Sequence, residues 1–279
     1  MQNQKRSLEI CCYVLGAGAF SVFLRWLQVM LAFDDKGLST KSAFNLLVPA
    51  MMIAGIWTFN RFTKQFKKER LYVSKNYLEA LYNPGRLFAA ARWLIGLMMC
   101  AGAGLLLMTS EADKEANLIR ILCAFALCTG ASFPLLLEAA NRFTLEKVPA
   151  LRLFAIMPIL MYSTWLILSY KQNVYNSVFW SFAPEIITII VTLLAFFRAA
   201  GLIFNCLDEK KLFLSTMTAA MLCIMSLADS RYMGMEVLLL ASGLMLVFYD
   251  WVLIMNLKTK GARRRTDEEE AEGGFEKIN

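Results

Sequence analysis

Apolar stretches long enough to cross a bilayer follow one another along this chain, from its first residues almost to its last, with only short polar connections between them. A spanning helix needs roughly 20 such residues, because the hydrocarbon layer is about 30 Å thick and a helix rises about 1.5 Å per residue. Eight segments meet or approach that length: 8–31, 43–59, 87–109, 118–140, 151–168, 178–197, 212–227 and 235–255. The second, fifth and seventh are the shortest. Hydrophobic residues make up 58% of the 279, and mean hydropathy is +0.51. The predicted fold class is all-α: a polytopic membrane protein with eight transmembrane helices arranged as four helical hairpins. Residues 1–257 read as one transmembrane domain and 258–279 as a cytosolic tail. That leaves no room for a separate soluble domain.

The first residues, MQNQKRS, resemble the start of a secretory signal. The apolar run behind them continues to about Leu31, well past the roughly 7–15 residues of a signal core, so it reads as a retained first span. Net charge is +7. In a polytopic chain the location of the basic residues carries the information, since Lys and Arg concentrate on the cytosolic side. With the N-terminus inside, 22 of the 29 basic residues are cytosolic: Lys5, Arg6, those from Arg61 through Arg92, Arg142, Lys147, Arg152, Arg198, Lys210, Lys211 and those from Lys258 onward. Six lie outside (Lys36, Lys41, Lys114, Arg120, Lys171 and Arg231), and Arg25 falls within a span. Both termini are therefore predicted to be cytosolic, in a plasma membrane, and the positive charge does not call for a nucleic-acid partner.

Similar words stand at the cytosolic edges of odd spans: RLFA at 86–89 and 152–155, KLFL at 211–214. NRFT follows spans two and four, at 60–63 and 141–144. A repeated hairpin unit of the kind used in transport folds is one explanation, and convergent basic-aromatic edges are the other. The longest connection, 61–86, spaces Phe62, Phe66, Val73, Tyr77 and Leu81 at near-helical intervals among lysines and arginines, until Asn83-Pro84-Gly85 breaks the pattern. It predicts a basic amphipathic helix lying on the inner membrane surface, or a docking surface for a cytosolic partner. After Met255 a basic cluster precedes Asp267–Glu270, Glu272 and two glycines, the composition of a disordered tail. The partners expected are membrane lipids, a small-molecule or ion ligand, and a cytosolic protein met through 61–86 or the tail.

An ionisable side chain inside a span costs about 2.5–3.5 kcal/mol on insertion scales, so each one needs a reason. Arg25 and Glu185 lie at matching depth, roughly 10 Å below the outer edge at 1.5 Å per residue, with opposite signs. They are candidates for an ion pair or for the two poles of a ligand or ion pocket. Pro184, directly before Glu185, would bend the sixth span beside that carboxylate and help build a cavity wall. Pro49, Pro134 and Pro158 fall inside other spans. Toward the cytosolic side, Arg92, Glu138 and Asp250 form a second candidate polar cluster, in which Arg92 and Glu138 can snorkel to the headgroups. Gly96, Cys100 and Gly104 make a small-residue stripe suited to close helix packing. Trp57, Trp165, Trp180 and Trp251 fall near predicted interfaces, as an aromatic belt would.

The chain has no histidine, which removes Ser-His and Cys-His pairs and His-based metal or haem sites. It has no glycine-rich phosphate loop and no cluster of closely spaced aspartates. None of its seven cysteines forms a Cys-x-x-Cys pair, and all sit in or beside apolar segments. No catalytic residue, cofactor or metal is expected. The first functional reading is a small permease-like transporter, or a membrane subunit of one, with a polar intramembrane cavity. The alternative is a membrane sensor or scaffold that contacts a cytosolic partner. An intramembrane enzyme is the third reading, for which no catalytic or nucleotide-binding motif argues.

Overall fold

The computed structural model describes residues 2–32, 46–69, 71–74, 76–109, 115–142, 148–173, 179–204, 206, 208–229 and 231–259. The tail from 260 and the connections 33–45, 110–114, 143–147 and 174–178 lie outside them. So do the expectations placed there: the disordered tail, the start of the second span and several of the basic loop residues. In chain order the elements are α1 (Gln2–Ala32), α2 (Leu47–Lys68), β1 (Leu71–Tyr72), α3 (Tyr77–Ala80), α4 (Arg86–Thr109), α5 (Ala116–Arg142), α6 (Val148–Asn173), α7 (Phe179–Ile203), α8 (Glu209–Met225), a 3-10 turn (Ser226–Ala228), α9 (Met233–Met255) and β2 (Lys258–Thr259).

Among the described residues, seven helices (α1 and α4 to α9) are long and apolar enough to cross a membrane. The chain is all-α and has the make-up of a polytopic membrane protein. The remaining long helix, α2, has a continuous apolar run that ends at Phe59, after which Phe62 and Phe66 are interspersed with Arg61, Lys64, Lys67 and Lys68. The outer faces are apolar too: Leu87, Leu94, Leu97 and Ile53 are each more than 60% exposed. Large apolar surfaces of this kind need lipid or a partner around them.

Helices α4 to α9 close into a ring, each packing on the next and α9 returning to α4. Helix α1 packs on α8 and α9, and α2 lies outside on α8 and α1. With α1, α2, α7 and α9 around it, α8 is covered on nearly all sides, and every residue from Leu212 to Met225 except Leu214 is buried. A helix apolar all round is the sequence that tolerates such a position. Glycines permit the closest crossing: a methyl group added at Gly96 would sit 2.5 Å from the Gly130 carbonyl, so α4 and α5 approach almost backbone to backbone. Cys100 packs at the same crossing, whereas nothing lies against Gly104. The stripe thus serves packing within the chain at its first two positions.

The connection 61–86 is not one surface helix. Residues 61–68 continue α2, β1 then pairs antiparallel with β2 (Leu71 opposite Thr259, Tyr72 opposite Lys258), and α3 forms a single turn. Val73, Tyr77 and Leu81 are 2–3% exposed and turn into the bundle, not toward lipid. Their helical spacing is real, but the burial they find is the ring's own open end. This ribbon end is tied down from many directions. The Asn256 side chain donates to the carbonyls of Ala80 (2.9 Å) and Tyr82 (2.8 Å). Asn83 and Asn141 bond reciprocally (2.7 and 3.0 Å), and the Tyr77 hydroxyl donates to the Leu136 carbonyl. The Asn3 amide reaches the Leu257 carbonyl at 3.0 Å.

Two smaller expectations also change. Pro49 stands in the first turn of α2 as described, where no intrahelical N–H is needed, and so bends nothing. Trp165 belongs to no interface belt: it is 1% exposed and stacked on Tyr162, with ring centroids 5.6 Å apart.

Candidate functional site

At the end opposite the ribbon, four charged side chains alternate in sign. Arg25 of α1 donates through Nε to Asp229 Oδ1 at 2.7 Å, while its Nη1 donates to Gln28 Oε1, also at 2.7 Å. Asp229 follows the 3-10 turn and offers its other oxygen, Oδ2, to Arg231 Nη2 at 2.9 Å. Arg231 also donates through Nη1 to the Ser226 carbonyl (3.2 Å), and its Nε lies 3.5 Å from Glu185 Oε2 on α7. Glu185 is held from behind by the Ser169 hydroxyl of α6, which donates to Oε1 at 3.1 Å. Arg25 and Glu185 therefore belong to one network, joined through Asp229 and Arg231. Two arginines and two carboxylates sum to zero charge. Such neutrality is what makes burial tolerable, since an uncompensated ion costs several kcal/mol to desolvate.

Asp229 and Arg231 stand between the predicted seventh and eighth spans, where a loop charge needs no explanation, and nothing in the sequence marked them. The available signal was their spacing: opposite charges two residues apart in a very short connection between two buried helices. Pro184 is buried in the second turn of α7, one residue before Glu185. Its carbonyl accepts a 2.7 Å hydrogen bond from the Thr188 hydroxyl one turn later.

A cavity of about 470 Å³ opens beside this network, lined by Gln172, Asn173, Glu185, Arg231, Tyr232 and Met235. Below it, α6, α7 and α9 carry buried polar side chains: Ser169 and Thr164 on α6, with Tyr162 and Trp165 beside them, Thr188 and Thr192 on α7, and Ser242 on α9. The upper part is polar and buried. The Thr192 hydroxyl lies 3.2 Å from Cys223 Sγ, and the Tyr162 hydroxyl faces Cys223 and Ser242. Trp165 Nε1 is buried with no hydrogen-bond partner among the described residues. Unpaired buried donors are rare in close-packed interiors and call for a water, an ion or a ligand group. The lower part is a mostly apolar cavity of about 20 Å³, room for roughly one water, lined by Pro158, Phe196, Met245 and Tyr249, by Thr129 and Ser132 of α5, and by Leu81 from the ribbon end.

The second predicted cluster divides. Arg92 Nη2 and Glu138 Oε2 are 4.0 Å apart across the α4–α5 crossing. Asp250 turns instead toward α8, where Thr216 donates to its Oδ1 at 2.6 Å; its Oδ2 is buried without a partner among the described residues. Among the described residues no group of three or more Cys, Asp or Glu side chains could hold a metal ion. Compared with protein families, with curated proteins and with solved structures, the chain finds no match.

Proposed function

We propose that the chain is a small permease of the plasma membrane, with eight spans arranged as four hairpins, both termini in the cytosol and the ribbon end facing the cytosol. Its ligand enters the external pocket at Glu185 and Arg231 and passes between α6, α7 and α9. What supports this reading is a polar pocket at one end, buried hydroxyls and the unpaired Trp165 indole N–H below it, and a small cavity lined in part by Leu81 toward the ribbon end. A path must offer polar groups through the hydrocarbon depth, and one conformation of an alternating-access protein keeps one end shut. The balance of basic residues supports the orientation.

A second reading has its own observation. The open polar pocket lies at one end, and the ribbon end is tied by the Asn83–Asn141 and Asn256 hydrogen bonds; a pocket on one side is all that a sensor needs. In that case α2 beyond Arg61, the ribbon and the tail would meet a cytosolic partner. Thiol accessibility separates the two. In a variant lacking the native cysteines, Ser242→Cys is expected to react with a membrane-impermeant thiol reagent from either face. Reaction from the external face alone would favour the sensor.

A further inference from the structure

We propose that the pocket at the far ends of α6, α7 and α9 takes a small zwitterion of the amino-acid class, its carboxylate on Arg231 and its ammonium on Glu185. This rests on the reading of that pocket as the mouth of the path.

Both poles are fixed before a ligand arrives. Arg231 is 8% exposed at its side chain and is braced by Asp229 and the Ser226 carbonyl; Glu185 is 17% exposed and braced by Ser169. Neither is saturated. A guanidinium has five N–H donors, and the contacts to Ser226, Asp229 and Glu185 use one on each nitrogen, leaving one on Nη1 and one on Nη2. A carboxylate accepts at about four lone-pair positions, of which Ser169 and Arg231 occupy two. The remaining donors and acceptors lie on neighbouring side chains that line the same open cavity, with Gln172, Asn173 and Tyr232 completing its polar lining.

The charge balance selects among ligands. Arg25, Asp229, Arg231 and Glu185 cancel, so a net anion or cation brought into this setting would itself remain uncompensated. A molecule whose ammonium and carboxylate are borne on one carbon meets opposite charges 3.5 Å apart and adds no net charge. A neutral hydroxylated molecule would use the amides but leave the fixed charges unexploited. Charge-assisted bonds at both poles are roughly twice as strong as neutral ones.

The test uses the full chain in lipid nanodiscs and three probe sets at neutral pH. These are a mixture of the standard neutral amino acids, the same mixture as N-acetyl derivatives, and the same mixture as amides. The expected result is a higher unfolding midpoint with the free amino acids alone, and an affinity at least tenfold weaker in Glu185→Gln. If Glu185→Gln does not fold, Asn173→Ala, at the rim and outside the ion network, is expected to weaken binding severalfold. An equal shift with either blocked set, or no shift with any set, overturns the zwitterion assignment. Two-sided labelling of Ser242→Cys in the same preparation tells the failures apart. If that labelling persists, the path stands and only the ligand class is wrong; if it is confined to one face, the permease reading itself fails.

Discussion

Arg25 is 2% exposed, and its guanidinium is bonded to Asp229 and Gln28. Removing Asp229 would leave two buried arginines with one carboxylate between them, and breaking a buried pair in this way costs about 3–5 kcal/mol. Arg25→Ala and Asp229→Ala should each lower the folded yield sharply, while the double variant should lose less than their sum, by about 0.5–3 kcal/mol. Simple additivity in a denaturant titration would contradict the pairing. Arg25 and Glu185 were legible in the sequence because a charge inside an apolar run is conspicuous. Asp229 and Arg231 were not, because a charge in a short loop carries no apparent cost until the loop is seen to be buried. Gly96 illustrates a different limit: the stripe was visible, but its partner, Gly130 on α5, was a tertiary fact. Gly96→Leu should destabilise by about 1–3 kcal/mol through overpacking, read as a lower unfolding midpoint.

At the scale of elements, the connection between α2 and α4 is the clearest case of a correct pattern given the wrong surroundings. Phe66, Val73, Tyr77 and Leu81 are all buried. Periodicity could not distinguish a membrane surface from the open end of a helix ring, since both are apolar. The β1–β2 pairing joins residues nearly two hundred positions apart and leaves no local trace. Glu79 at this end accepts hydrogen bonds from Lys258 (2.6 Å) and Ser74 (2.8 Å), and these, Lys258 first, hold its carboxyl below the usual carboxylate range. A depressed carboxylate contributes stability that is present above its unfolded value and lost as pH falls through the folded one. Its side chain is 48% exposed, so solvent screening keeps the effect small. Amide exchange at Leu71–Tyr72 should therefore quicken as pH drops through the lower carboxylate range, after correction for intrinsic exchange, and Glu79→Gln should remove that dependence. Exchange that is unchanged with pH in the parent chain would show that Glu79 does not hold the ribbon.

For the whole molecule, the all-α membrane class follows from apolar length alone, which is why it was readable without a structure. The closed ring of α4 to α9, with α8 enclosed by α1 and α2, depends on which faces meet, and the helices are too uniformly apolar to say. The central claim is that the space between α6, α7 and α9 is one path, shut at the ribbon end by the segment carrying Leu81. Asn83 and Asn141, bonded across that closure, offer a lock. In a variant without the native cysteines, Ser242→Cys is the reporter, and a disulfide between Asn83→Cys and Asn141→Cys is the restraint. The account predicts that oxidation abolishes labelling of Ser242→Cys from the ribbon side, leaves labelling from the pocket side intact, and is reversed by reduction. Labelling from the ribbon side that persists with the disulfide formed, or that never occurs in either state, would contradict it.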